Sequence, residues 1–150
     1  MDCVFCAIVA GQAPAAIIYQ DEHTMAFMDI NPVAEGHALV IPKVHVQDIY
    51  EIDVQTAAAV MHTVVKVARA IGMTLRPDGI NLFQANGRAA NQSVLHFHVH
   101  VIPRRWDDGI RPPWRLKPGD WNAITQTAAA IRTQLISNEC SRPGGAYDQR

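Results

Sequence analysis

Residues 92–104 read "QSVLHFHVHVIPR", a run in which His96, His98 and His100 alternate with Phe97, Val99 and Val101. Strict alternation is the period of a β-strand, whose side chains point to opposite faces in turn. The run predicts a strand over 93–102, stopped by Pro103, with Leu95, Phe97, Val99 and Val101 on a core face and the three imidazoles on the other. At about 3.3 Å of rise per residue the imidazoles follow one another at roughly 6.5 to 7 Å, so each can hold a separate task. Neutral imidazole moves protons near pH 7 and is also a competent nucleophile, which suits group transfer at a charged centre such as phosphorus.

Working outward, "AAIIYQDEHTMAFMDI" predicts two strands around the turn Asp21-Glu22-His23, and "HALVIPK" a third that Pro42 confines to an edge or a strand end. From an N-cap at Asp53, the residues Val54, Ala57, Met61, Val64, Ala68 and Ile71 recur at helical spacing and predict a helix of about five turns. "INLFQA" reads as a fourth strand, "NGRAAN" as a polar loop, and the histidine run as the fifth strand. After a stretch holding Trp106 and Trp114, Asp120 caps a second helix with Ile124, Ala128, Ile131 and Leu135 on one stripe. Consecutive strands with inserted helices argue an α+β fold: a five-stranded, mainly antiparallel sheet, one long helix and a C-terminal helix. One domain is expected over 1–137, with its core at 3–104, followed by a disordered tail over 138–150.

The 150-residue chain carries a formal charge of −1, and about half of it is hydrophobic. No field over the whole molecule recruits nucleic acid or an anionic membrane, so neither is expected as a partner. The start "MDCVFCAIVAGQ" holds neither a basic leader nor a long apolar run, and the expected location is the cytoplasm. Three cysteines do not make a disulfide framework, whereas Cys3-x-x-Cys6 has the spacing at which a turn offers two thiolates to one tetrahedral ion. A redox pair is the competing reading, but no βαβ context surrounds it. Upstream of the histidines, Asn86, Gly87, Arg88, Asn91, Gln92 and Ser93 make a loop that can turn N–H groups and a hydroxyl toward an anion.

"HFHVHVI", together with "DI…GH.LVIPK.H" upstream, resembles the histidine triad (HIT) family of nucleotide hydrolases and transferases, and over 3–104 its nucleoside-phosphoramidase, or histidine triad nucleotide-binding, branch. The resemblance implies cleavage at the α-phosphate of a purine nucleotide derivative, such as a nucleoside phosphoramidate, through a covalent nucleotidyl-histidine on His98. It places His100 near the leaving group and His37 behind the triad. Asn86, Gln92 and Ser93 fall at the phosphate, and Asp29 at the ribose hydroxyls. Phe5, Ile8, Phe27, Ile30 and Leu39 fall at an apolar base pocket. It also completes a Cys3, Cys6, His45 and His96 set for a structural zinc, with no position left for water. A homodimer is implied as well.

Where the family usually has glycine before the Gln-Ser pair, this chain has Asn91, which must then bear any backbone φ above zero. Three other readings compete. A dinucleoside polyphosphate hydrolase would use Arg104, Arg105, Arg111 and Arg115 on further phosphates. A metal hydrolase would hold a catalytic zinc on His96 and His98, and a non-catalytic nucleotide-binding protein would need no nucleophile. The sugar-phosphate nucleotidyltransferase branch normally has proline between its catalytic histidines, where this chain has Phe97 and Val99.

Overall fold

The computed structural model describes residues 3–111 and 116–137. They fall into two units divided after Ile110. The first unit runs α1 (Val4–Val9), β1 (Ile17–Gln20), β2 (Thr24–Met28), β3 (Ala38–Pro42), α2 (Val54–Leu75), β4 (Gly79–Phe83) and β5 (Val99–Arg104). The strands form one antiparallel sheet in the order β1-β2-β3-β5-β4. Asp21 closes the first hairpin, its Oδ1 accepting the N–H groups of His23 at 2.9 Å and Thr24 at 2.7 Å. β3 lies in the middle and is buried throughout, with Pro42, which has no N–H to donate, as its last residue.

The sheet has two buried faces. On one, Ala26, Ala38, Val40, Phe97, Val99 and Val101 pack against Val60, Val64, Val67 and Ile71 of α2. On the other, Met25, Phe27, Leu39 and Ile41 pack against Phe5 and Ile8 of α1. Each Val, Ile or Phe so enclosed contributes about 1.5–3 kcal/mol relative to an exposed side chain. The second face also carries the histidines, because His100 lies opposite Leu39 of β3 and Phe83 of β4.

Three differences from the sequence reading have physical causes. The last strand begins at Val99, so His96 and His98 precede it, and Leu95 is 44 % exposed instead of in the core. Here the Phe97 N–H donates to the Val46 carbonyl at 2.7 Å and the His96 N–H turns back to the Val94 carbonyl at 2.9 Å, which takes the backbone out of the ladder. α2 spans 22 residues, about six turns, and buries Val60, Thr63, Val64, Val67 and Ile71 while Val54 and Met61 are exposed. Its sequence is apolar on more than one side, so periodicity alone misplaces the stripe. Asp53 does cap it, accepting the Thr56 N–H at 2.9 Å. Finally, residues 4–9 form the short helix α1, which no run of apolar spacing that brief could announce.

The second unit holds α3 (Trp121–Ser137), opened by Asp120, whose Oδ1 accepts the Asn122 N–H at 2.9 Å and whose carbonyl accepts the Ile124 N–H at 3.0 Å. Ile124, Ile131 and Leu135 are exposed along it. Trp114, Arg115, Cys140 and the expected tail lie outside the described residues.

Candidate active site and metal centre

Each triad imidazole is fixed by a different partner, and those partners determine which ring nitrogen carries the proton. A backbone carbonyl can only accept. The His98 Nδ1, 2.7 Å from the His96 carbonyl, therefore holds the proton, and its Nε2 keeps the lone pair. His98 is 2 % exposed, with Phe5 edge-on at 5.3 Å and His100 at 4.9 Å between ring centroids. No buried side-chain nitrogen among the described residues lacks a partner. Since His98 bonds through Nδ1, its Nε2 is the edge left to solvent.

A backbone N–H can only donate, and Val33 gives its N–H to the His37 Nδ1 at 3.2 Å. Neutral His37 then carries its proton on Nε2 and donates it to the His100 Nδ1 at 2.8 Å. His100 is left with a proton on Nε2, on the same side of the sheet as His98. Asp29 Oδ2 lies 3.6 Å from the His37 Nε2 and 3.9 Å from the His100 Nδ1, while its Oδ1 accepts the Asn31 N–H at 2.8 Å. Gly36, at φ +84, delivers His37, and a Cβ there would stand 2.3 Å from the Leu75 Cδ1.

Burial holds His37 and His98 below the ordinary histidine value, Asp29 opposing in both cases and the His96 carbonyl also opposing at His98. For His100, burial and then the neighbouring His98 and His37 bring the value to about 4. All three are neutral at pH 7. Neutrality leaves His98 an intact lone pair, and a bound phosphate anion would push the values back up.

His96 faces elsewhere. Its Nε2 donates to the Pro42 carbonyl at 2.9 Å, which leaves the Nδ1 lone pair toward the Cys3 Sγ at 3.5 Å and the Cys6 Sγ at 3.7 Å. The His45 Nδ1 is 3.3 Å from the Cys6 Sγ, and the four donor atoms lie within 4.8 Å of one another. A tetrahedral zinc, with S ligands at about 2.3 Å and N ligands at about 2.05 Å, needs S···N separations of about 3.5 Å, so the set fits that ion. Burial and the neighbouring Cys3 push the Cys6 thiol up, a shift that a bound cation would oppose. The ring nitrogens of His96 and His98 are directed to different partners, which removes the catalytic zinc on that pair. Asp29, His37 and His100 also cluster, but with His37 protonated on Nε2 that nitrogen is used in the bond to His100, and Asp29 stands beside the pair as a nearby charge at 3.6 and 3.9 Å.

Other expected contacts are placed differently. Phe5, Ile8, Phe27 and Leu39 come together as a closed apolar layer, whereas Ile30 is 85 % exposed and outside it. Asn86 uses its Oδ1 on the Ile49 N–H at 2.8 Å and its Nδ2 on the Gln84 Oε1 at 2.6 Å. Gln92 is buried with both ends of its amide bonded, and Ser93 is exposed. Asn91 does take the left-handed conformation, φ 64 and ψ 33. Arg104 binds Asp108, Asn81 and the Ile110 carbonyl, and Arg105 binds the carbonyls of Leu75 and Arg76, so neither is a spare phosphate ligand. Sequence reasoning missed Val33 and Pro42 because they act through backbone atoms. It also missed Phe83, 5.9 Å from His100, whose pairing only the sheet order reveals.

Residues 10–107 match the HIT domain family model. The chain is 45 % identical over 140 residues to the Bacillus subtilis "Protein hit", covering 91 % of this chain and 97 % of that one. It is 42 % identical over 119 residues to the Schizosaccharomyces pombe adenosine 5'-monophosphoramidase, covering 79 % and 86 %. Among solved structures, a Bacillus subtilis HIT family member superimposes with TM-score 0.84 at 39 % identity, over 89 % of this chain and 97 % of that one. A zinc-bound histidine triad protein from Mycobacterium smegmatis gives 0.71 at 41 % identity, over 91 % and 97 %.

Proposed function

The chain belongs to the histidine triad family, in its nucleotide-binding branch, and on that premise we propose that it hydrolyses a purine nucleoside phosphoramidate through a covalent intermediate on His98. Family membership supports nucleotide hydrolase activity as a class. The observation that carries the finer reading is the fixed tautomer of His98, with Nδ1–H on the His96 carbonyl and the lone pair on Nε2.

In this mechanism the His98 Nε2 attacks the α-phosphorus, the P–N bond to the leaving amine breaks, and the ring becomes a nucleotidyl-imidazolium whose charge the His96 carbonyl steadies. The bound phosphate favours protonated His100, which gives up the bond from His37, turns its new Nδ1–H to the Asp29 carboxylate 3.9 Å away, and passes its Nε2 proton to the departing nitrogen. Water then attacks phosphorus, its proton passes to His100, and the nucleoside monophosphate leaves with His98 restored. Asp29 is assigned to the ribose hydroxyls, and the loop over 86–93 to the phosphate. The buried layer of Phe5 and Ile8 of α1, with Phe27 and Leu39, is assigned to the floor beneath the base.

Cys3, Cys6, His45 and His96 would hold a structural zinc, supplying a cross-link between α1 and the histidine segment. Exposed Val54, Met61 and Val65 on α2, with Leu82 on the edge strand β4, support pairing with a second copy, which sedimentation would test. Comparing turnover of an adenosine phosphoramidate with a diadenosine polyphosphate tests the substrate class. The phosphoramidate should be the better substrate, since Arg104 and Arg105 are already engaged. Preference for the polyphosphate would reverse the assignment.

A further inference from the structure

On the reading that the loop over 86–93 holds a nucleotide phosphate, we infer that Gln92 is a positioning residue for that loop and does not touch the phosphate. Gln92 is 6 % exposed, and its amide is used at both ends: Oε1 accepts the Gly87 N–H at 2.7 Å, and Nε2 donates to the Gln47 carbonyl at 2.7 Å. Its own N–H returns to the Gly87 carbonyl at 3.1 Å. The loop turns at two corners of positive φ, Gly87 at φ 80 and Asn91 at φ 64, on either side of a 3-10 turn over Arg88–Ala90. Glycine takes such a φ freely, whereas a non-glycine residue such as Asn91 keeps it where surrounding bonds hold it.

Gln92 supplies such bonds from inside the loop, and segment 46–49 anchors it from outside. Val46 takes the Phe97 N–H at 2.7 Å, Gln47 takes the Gln92 amide, and Ile49 gives its N–H to Asn86 at 2.8 Å. That segment follows His45 of the Cys3/Cys6 cluster, so one stretch of backbone serves both the metal centre and the phosphate loop. The ties leave Arg88 and Ser93 exposed, where an anion can reach them. Only a carboxamide of this length does the work, because one end must accept and the other donate across two gaps.

The test compares wild type with Gln92→Leu, which keeps the volume and loses both bonds, and Gln92→Asn, which keeps the amide but is one methylene short. Binding of AMP and of adenosine is measured by calorimetry, alongside metal content and amide hydrogen exchange of the ligand-free proteins. Both variants should bind AMP at least about tenfold more weakly and adenosine within about twofold of wild type. Metal content should not change. The Gly87 N–H should exchange at least about tenfold faster before any ligand is added, an effect that a phosphate-contacting side chain would not produce. Equal AMP affinity in wild type and both variants, equal loss for AMP and adenosine, or unchanged exchange at Gly87 would each overturn the inference. Failure of wild type to bind AMP would instead overturn the nucleotide reading on which it rests.

Discussion

The Nδ1 of His98 lies 2.7 Å from the carbonyl oxygen of His96, two residues earlier in the chain. One residue thus serves two centres: its carbonyl fixes the tautomer of His98, while its ring turns toward Cys3 and Cys6. Phe5, set between those cysteines, packs edge-on against both rings, at 5.8 Å from His96 and 5.3 Å from His98. Anything that loosens α1 therefore reaches the proposed nucleophile directly.

His37 bonds to His100 through its Nε2 at 2.8 Å, and in the proposed mechanism it orients that ring without meeting the reacting atoms. His37→Ala should lower kcat by about 10–100-fold while KM moves by less than about threefold, because the lost bond acts on proton delivery. Steady-state kinetics across pH 5–9 would check this. A rise in KM with kcat intact would assign His37 to binding instead.

Metal removal should be felt first in stability. With four protein ligands and no open position, a zinc held there would cross-link α1 to the histidine segment, and its loss should lower the Tm by roughly 5–10 °C. Cys6→Ala should cut zinc stoichiometry, read by elemental analysis, from one per chain to near zero. Full stoichiometry in that variant would remove the site.

Acid should destabilise the protein in a defined window. Burial holds His37 below 6.5, and burial with the neighbouring His98 and His37 holds His100 at about 4, against the opposing pull of Asp29. Below pH 6.5 the unfolded chain takes up protons that the folded one refuses, so stability is full above that value and declines as the pH falls toward about 4. Urea unfolding at pH 7.5, 6 and 5 should show the decline, and His100→Phe should flatten it.

The alternation around His98 and the cap at Asp53 made the sheet and the long helix legible in the sequence. Asn91 was legible too, since the position required a left-handed residue and received one at φ 64. What could not be read there depends on atoms that residue type does not specify. The Phe97 N–H to Val46 carbonyl bond delays the start of β5 to Val99, and the Val33 N–H sets the tautomer of His37. The resemblance placed Gln92 at the phosphate, and the positions of Gly87 and Gln47 add that its amide is bonded at both ends.

Asn91 also yields a test of backbone strain. Asn91→Gly should leave stability unchanged or raise it by up to about 1 kcal/mol, whereas Asn91→Val should cost about 1–2 kcal/mol, because a branched Cβ crowds the left-handed conformation. Denaturant midpoints would check both. A harmless valine would show that the loop takes another shape in solution.

The most direct measurement is to stop the reaction with an adenosine phosphoramidate under alkaline conditions, where P–N bonds survive, and to locate the modification by peptide mass spectrometry. An adenylyl mass on the peptide containing His98, absent in His98→Ala, is the predicted result. Turnover that proceeds with no such adduct, or with the adduct on another residue, would contradict the assignment of His98 as nucleophile.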